Sequence, residues 1–419
     1  MNRSPEACYV GVDCGERTHF FLVLDSRGSV VWKSQVENNR DSIERVLRRC
    51  AERAGSDVPV HLVLESLYGF SSLVAEIGRD LGLVIYQVNS KALNHYRDLE
   101  GQPHKDDARD AYLLARMAWQ GLNGCRLALS PTAEEQVLRR LSRLHSRVCD
   151  QRKVAKLRLR SRLTELCPQV VAPSWTGPKY SSDSFVAVLK RWPDLSELRR
   201  CRISTIVRVL RQVSSRKEDD LQIQAKALKA LGREISKSEE NQIIAMELAY
   251  LAADIQAASD QLKAIDAKID ERVKDHPVAR KLISMPGVGT FTAAAVVGEL
   301  GPLARTSKEA KVATYAGLTP LNRKSGQGGR NVLAKGVNKH AQQACYLSAL
   351  GSLRFSSLDK TYYQKQRERH KGHPKPHVVA LLALARQRLK LFFKLMTTNQ
   401  EYDKEILIAS HLRRTQMAA

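Results

Sequence analysis

An α/β domain followed by a longer, mainly α-helical region is the fold class that this sequence predicts, and three observations predict it. Three short strand patterns follow one another near the N-terminus and then alternate with helical ones. Two long stretches, 132–166 and 241–272, keep helical periodicity throughout. Beyond Pro277 several helical runs are separated by loops rich in Gly and Pro.

Residues 8–13 (Cys-Tyr-Val-Gly-Val-Asp), 18–24 (Thr-His-Phe-Phe-Leu-Val-Leu) and 30–36 (Val-Val-Trp-Lys-Ser-Gln-Val) read as strands, with Asp25-Ser-Arg-Gly28 turning the second into the third. A helix over about 40–54 presents Ile43, Val46, Leu47 and Cys50 on one side. The apolar strand Val60–Leu64 runs into Glu65. Helices near 70–80 and 106–119 flank a strand at Leu83–Val88. A meander of three strands followed by alternating helices and strands gives a mixed sheet in a ribonuclease-H-like layout.

From 132 to 166 apolar residues recur at helical spacing between Arg139, Arg140, Arg143, Arg147, Arg152 and further cations. Region 168–235 is less regular and is punctuated by Pro168, Pro173, Pro178 and Pro193. From 241 to 272, Ile244, Leu248, Leu251, Ile255, Ala258, Leu262, Ile265 and Ile269 alternate steps of four and three, the pattern of a coiled coil or an antiparallel helix pair. We expect a helical arm over 130–275 that packs on itself or on another subunit. The last domain, 277–400, is expected to carry helices at 278–284, 290–300, 306–316, 336–353 and Pro376–Met396, ahead of a tail at 401–419.

The 419 residues carry 68 Lys+Arg against 44 Asp+Glu, a net charge of +24. Residues 1–120 carry a net −2, so the remainder holds +26. A charge of that size calls for a polyanionic partner. The expected division has a slightly acidic front holding metal ions and a basic remainder holding nucleic acid. No apolar run approaches the roughly 18 residues of a membrane helix, and the first residues lack the basic-then-apolar order of a secretory signal. No membrane partner and a cytoplasmic location are expected. The eight cysteines are scattered without a C-x-x-C pair or zinc spacing and are read as reduced thiols.

Asp13 ends the first strand, Glu65 ends the strand 60–64, and Asp107 and Asp110 stand three apart on a helix. Carboxylates gathered in this way repel one another unless cations neutralise them, and an all-oxygen donor set suits Mg²⁺ or Mn²⁺. Two such ions can stabilise the attacking and leaving oxygens of a phosphodiester transfer. Spacing alone leaves Asp106 competing with Asp107, because Asp106 and Asp110 are an i, i+4 pair.

In the last domain, Ser284-Met-Pro-Gly-Val-Gly289 before an apolar helix resembles the turn of a helix-hairpin-helix module, with Gly287 and Gly289 letting backbone N–H groups meet a phosphate. Further on, Ser325 lies in a glycine loop among Arg323, Lys324, Arg330 and Lys335. That positive field would stabilise an alkoxide and a phosphorane-like transition state. A phosphate-binding loop without nucleophilic chemistry fits the same residues, and no local His or Glu presents itself as a base.

Asp13 in Val-Gly-Val-Asp, Glu65 in Leu-Val-Leu-Glu-Ser and Lys105-x-Asp107-x-x-Asp110-Ala, with Pro286-Gly-Val-Gly289, Ala316-Gly-Leu-x-Pro320, Ser325-Gly326 and Lys335-Gly-x-Asn338, resemble the DEDD transposases of the insertion-sequence one-hundred-and-ten family, whose relatives include Piv-type invertases. The resemblance spans nearly the whole chain and is weakest between 168 and 240. It implies a RuvC-like domain over 1–125 in which Asp13, Glu65, Asp107 and Asp110 hold Mg²⁺ or Mn²⁺. It also implies a C-terminal transposase domain whose Ser325 attacks DNA to form a covalent phosphoserine. It favours Asp107 over Asp106, although Lys-Asp-Asp stands here where the family has Lys-Thr-Asp. It further implies donor and target DNA as substrates, a structured bridge RNA as guide, and a homotetramer arranged as a dimer of dimers. Arg139, Arg143 and Arg147 on the basic arm are expected to follow a nucleic-acid backbone. The rival reading is a metal-dependent, structure-specific endonuclease that uses water.

Overall fold

The computed structural model describes residues 7–54, 58–100, 106–122, 124–128, 131–325, 328–333, 336–398 and 400–402, and for 320–325 and 328–333 it describes the backbone alone. The chain divides into two compact units, residues 1–130 and 131–419.

The first unit is a six-stranded mixed sheet between helices. Its elements are β1 (Cys8–Cys14), β2 (Thr18–Leu24), β3 (Val30–Glu37), α1 (Arg40–Ala54), β4 (Val60–Leu64), α2 (Ser72–Asp80), β5 (Val84–Val88), α3 (Ser90–Leu99), α4 (Asp107–Trp119) and β6 (Cys125–Leu127). The strand order is β3-β2-β1-β4-β5-β6. The first three strands are antiparallel, β4 and β5 run parallel to β1, and β6 returns antiparallel on β5. The expected α/β domain with a mixed sheet is therefore present. α3 and β6 were not foreseen, being too short and too polar to show a period.

Strand alternation sorts the two faces. Val10, Val12, Leu62 and Leu64 join Ile43, Leu47, Val74 and Ile77 of α1 and α2 in one core. On the other face Tyr9, Leu22 and Leu24 pack against Ala111 and Ala115 of α4, while Val63 and Val88 meet Leu113, Leu114 and Met117. Gly11 lies on this second face. A Cβ there would collide with the carbonyl oxygen of Ala111, so the glycine lets the backbone of α4 rest directly on β1. The far end of the helix is fixed as well, since Trp119 packs on Gly28 in the β2–β3 turn and donates to the Ser26 carbonyl at 3.0 Å. α4 thus runs back along β1, with its N-terminus toward the end of the strand that carries Asp13.

The second unit is helical apart from one hairpin. Its elements are α5 (Ala133–Leu166), α6 (Asp183–Arg191), α7 (Ile203–Arg211), α8 (Glu218–Glu234), α9 (Glu239–Lys274), α10 (Pro277–Ile283), α11 (Thr290–Thr306), α12 (Glu309–Tyr315), β7 (Pro320–Ser325), β8 (Gly328–Leu333), α13 (Lys339–Ser352), α14 (Ser357–Arg369) and α15 (Pro376–Thr397). A capping box joins Thr132 and Glu135 at the start of α5. α5 and α9 run antiparallel and share two cores. Ala155, Leu159 and Leu163 of α5 meet Ile244, Leu248 and Ile255 of α9 in a core completed by α6, α7 and α8. Leu138 and Val148 of α5 meet Leu262, Ile265 and Ile269 of α9 in a second core, with α11, α13 and α15. Every residue of the coiled-coil pattern on α9 is buried except Leu251, which is partly so.

Three features differ from the expectation. Region 168–235 forms three regular helices, two of them only nine residues long. The stretch expected as a glycine loop is the antiparallel hairpin β7–β8, with Ser325 opposite Gly328 at its end; its strands are too polar to alternate visibly. α14 buries only Tyr363 and carries little apolar signal.

Gly11→Ala is expected to destabilise the first unit by about 1–3 kcal/mol through overpacking against α4. Scanning calorimetry would register this as a lowered midpoint, and an unchanged midpoint would show that the helix does not rest on the strand.

Candidate active site

β1 and β4 are parallel neighbours in register from Cys8 opposite Val60 to Val12 opposite Leu64. Asp13 and Glu65 each follow the last registered pair, so the two residues occupy neighbouring backbone positions where the β1–β4 pairing ends. Asp13 lies on the α4 face with Gly11, and Glu65 is the first residue beyond the end of β4. Their field reaches Cys14, whose thiol is pushed up to about 12, first by burial and then by the negative charges of Asp13 and Glu65, against a lowering hydrogen bond with Ser71.

The N-terminal turn of α4 supplies the other acidic residues. Asp106 is the N-cap and its side chain accepts from the Ala108 N–H at 3.4 Å. Asp107 is exposed at the first helical position. Asp110 is buried, and its Oδ1 accepts from Arg97 Nε at 3.1 Å and Nη2 at 2.7 Å. That guanidinium neutralises the one carboxylate of the set that has left water. Among the described residues, no three His, Cys, Asp or Glu side chains are gathered closely enough to hold a metal ion.

In the second unit, Gly287 has φ +78°, and a Cβ there would strike the backbone of Gly351 and Ser352 at the end of α13. Its role is close packing. Gly289 is different: it is exposed, it precedes the first residue of α11, and a Cβ on it would meet nothing. Ser325 ends β7. The side chains of Arg323, Lys324, Ser325 and Arg330 and the whole of Lys335 lie outside the described residues. Arg147 is exposed on α5, whereas Arg139 and Arg143 both turn to Glu299 of α11.

Comparison with known proteins bears on both units. Residues 10–168 match the family model DEDD_Tnp_IS110, described as transposase. Residues 279–364 match a model described as transposase of the IS116/IS110/IS902 family.

The chain belongs to the IS110 family of insertion-sequence transposases.

It is 26% identical to the 43.6 kDa protein of insertion element IS110 from Streptomyces coelicolor, over 95% of this chain and 96% of the relative. The 42 kDa protein of insertion element IS900 from Mycobacterium paratuberculosis is 25% identical over 94% of this chain and 96% of its own length. The 44.8 kDa protein of insertion element IS116 from Streptomyces clavuligerus is 24% identical over 94% and 96%. As a transposase of this family the chain has DNA as its substrate. No helix among the described residues is long and apolar enough to cross a membrane.

Three groups of the IS110 transposase escaped sequence reasoning. Arg97 sits in a helix with no strong period. Arg388, 2% exposed on α15, donates to Ser348 Oγ at 2.5 Å, Asp359 Oδ2 at 2.8 Å and the Pro286 carbonyl at 2.7 Å, and so holds the Pro286-Gly287 turn. Glu299 is fully buried and receives Arg143 Nε at 2.6 Å and Nη2 at 3.0 Å, with Asn338 Nδ2 at 2.6 Å. A lone carboxylate between Gly298 and Gly301 in an otherwise apolar helix was the available signal.

Burial pushes the Glu299 carboxyl up. The hydrogen bond from Arg143, the charge of Arg139, the hydrogen bond from Asn338 and the charge of Arg143 together outweigh it and hold the group below its usual range. A carboxyl lowered on folding contributes stability above its unfolded value and loses it as pH falls through the folded one. The second unit is therefore expected to weaken below about pH 4, and Glu299→Gln to flatten that part of the profile in pH-dependent thermal melts. Arg388→Met leaves Asp359 and the Pro286 carbonyl without their donor. It is expected to destabilise the same unit by about 3 kcal/mol, read by chemical denaturation.

Proposed function

We propose that this IS110 transposase moves its element by cutting and rejoining DNA through a covalent phosphoserine at Ser325, assisted by divalent ions at Asp13, Glu65, Asp107 and Asp110. The observation that supports the reading is that Asp13 and Glu65 follow the last paired residues of the adjacent parallel strands β1 and β4, and that the N-terminal turn of α4, with Asp107 and Asp110, lies toward that end of β1. The strand order β3-β2-β1-β4-β5, with its antiparallel meander and parallel crossovers, supports a ribonuclease-H-like (RuvC-like) domain. The α10–turn–α11 unit with Gly289 at its open end supports a helix-hairpin-helix-like contact to phosphate.

The donor set is all oxygen and suits Mg²⁺ or Mn²⁺. A bound divalent ion supplies Lewis-acid stabilisation to phosphate oxygens. The protein's own part would be to bring carboxylates from two strand ends and a helix start together from their separated positions, and Arg97 would have to release Asp110 for all four to serve. At the hairpin, the Ser325 hydroxyl gives up its proton as its oxygen bonds to phosphorus, and the deoxyribose oxygen leaves and takes up a proton. Reversal against a second strand end rejoins the DNA, because the phosphoserine retains the ester bond. Arg323, Lys324, Arg330 and Lys335 supply the positive field for the developing charge, and Arg147 and Gly289 contact backbone phosphates. Donor and target DNA are the substrates, as membership of a transposase family implies, and the reading places the reaction in the bacterial cytoplasm; a bridge RNA as guide and a tetramer as working assembly complete it on the strength of the motif resemblance alone.

Purified transposase incubated with Mg²⁺, RNA transcribed from the element and junction DNA is expected to give a protein–DNA adduct on a denaturing gel. The adduct should be absent in Ser325→Ala and in Asp13→Asn, and in wild type after chelation. Cleavage that persists in Ser325→Ala without any adduct would establish the water-using, structure-specific endonuclease instead.

A further inference from the structure

Glu299 joins three elements that sequence keeps far apart. Arg143 and Arg139 reach it from α5, the latter with Nε at 3.1 Å from Oε2. Asn338 reaches it from the residue that precedes α13. Asn338 is fully committed: Oδ1 accepts from the Ala341 N–H at 3.0 Å as the helix cap, and Nδ2 donates both to Glu299 and to the Tyr315 hydroxyl at 2.8 Å. Its backbone N–H donates to the Tyr315 carbonyl at 2.8 Å. Tyr315 ends α12 and Asn338 caps α13, so the chain that carries the β7–β8 hairpin departs and returns at a single point. Gln342 closes the same root by donating to the Gly317 carbonyl at 3.1 Å.

We infer that Glu299 is a positioning residue which, through Asn338, sets the direction in which the β7–β8 hairpin leaves its root between α12 and α13. The inference rests on the reading of Ser325 as nucleophile for its catalytic consequence, and on the Asn338 contacts for its structural one. The charge of Glu299 is needed as well as its shape. Arg139 and Arg143 have side chains only 13% and 31% exposed, and a neutral amide there would leave two guanidiniums without a counter-ion while turning N–H groups toward them. A hairpin of two six-residue strands has little stability of its own. Its direction is inherited from its root, and a small error at the root grows toward the end that carries Ser325. Proximity catalysis is sensitive to displacements of about 1 Å.

Asn338→Ser isolates the clasp, because serine is also a good helix cap but cannot donate to both Glu299 and Tyr315. Hydrogen exchange is followed at the amides of β7 and β8 and of α11 and α13, alongside DNA binding and the rate of adduct formation at saturating DNA. Exchange in β7 and β8 is expected to rise about tenfold, with α11 and α13 unchanged. Adduct formation is expected to slow about tenfold with DNA affinity held within about twofold, a loss in kcat rather than in KM. Asn338→Asp also keeps the cap but sets a carboxylate against Glu299, and should do the same more strongly.

Unchanged exchange in β7 and β8 would overturn the clasp. Exchange rising equally through α11 and α13, with a falling melting temperature, would reduce the clasp to a structural bolt and overturn the positioning role. A loosened hairpin with an unaltered adduct rate would overturn it too. If wild-type protein forms no adduct, the serine reading fails by itself, and the exchange measurement still decides whether Glu299 and Asn338 hold the hairpin.

Discussion

A carboxylate with no surface left in water must be answered by charge and by hydrogen bonds at both oxygens, or the fold that buries it is lost. Glu299 meets that condition with two guanidiniums from α5 and one amide from the start of α13. The requirement runs outward from there. Gly298 lies against the backbone of Arg139 and Gly301 against the carboxylate of Glu135, so α11 can approach α5 closely enough for the short Glu side chain to reach. The helical core around α11 and the root of the hairpin both depend on that approach. Glu135 adds a second bolt, pairing with Arg305 in the last turn of α11.

The first unit solves a related problem without charge. Bringing a helix start over the ends of β1 and β4 needs contact between the backbone of α4 and the sheet, and a glycine on the central strand permits it. Alternation then puts Asp13, two residues beyond Gly11, on the same face. Ala111 and Ala115 mark where α4 crosses β1 most closely.

Much of this was legible in the sequence. The strands at 8–13, 18–24 and 60–64, the long helices and the a/d positions of α9 are repetitive signals that local sterics and burial enforce over many residues. The mixed sheet followed from their order. What escaped depends on single partners far away in the chain. Arg97 and Asp110 meet only because α3 and α4 fold together, and Arg388 holds a turn one hundred and two positions away. Arg139 and Arg143 are instructive: on a helix so rich in cations they read as a phosphate-tracking stripe, yet their guanidiniums point inward to Glu299. Charge density in a sequence does not say which members face solvent. Of the carboxylates, the positions of Asp13 and Glu65 at strand ends and of Asp106 at a helix start could be reasoned from the sequence, whereas the arginine on Asp110 could not.

The antiparallel pair α5 and α9 carries one core near its base and a separate core, with α6, α7 and α8, at its far end. Neither core borrows side chains from the other, and much of the distal portion falls in the 169–278 span matched by neither family model. A rod of this kind can be lengthened or shortened by matched heptads on its two helices, each moving the tip by about 10 Å while leaving every contact at the base intact. Reach is thereby separable from chemistry: evolution, or an engineer, can change how far the protein extends without altering a residue at either end.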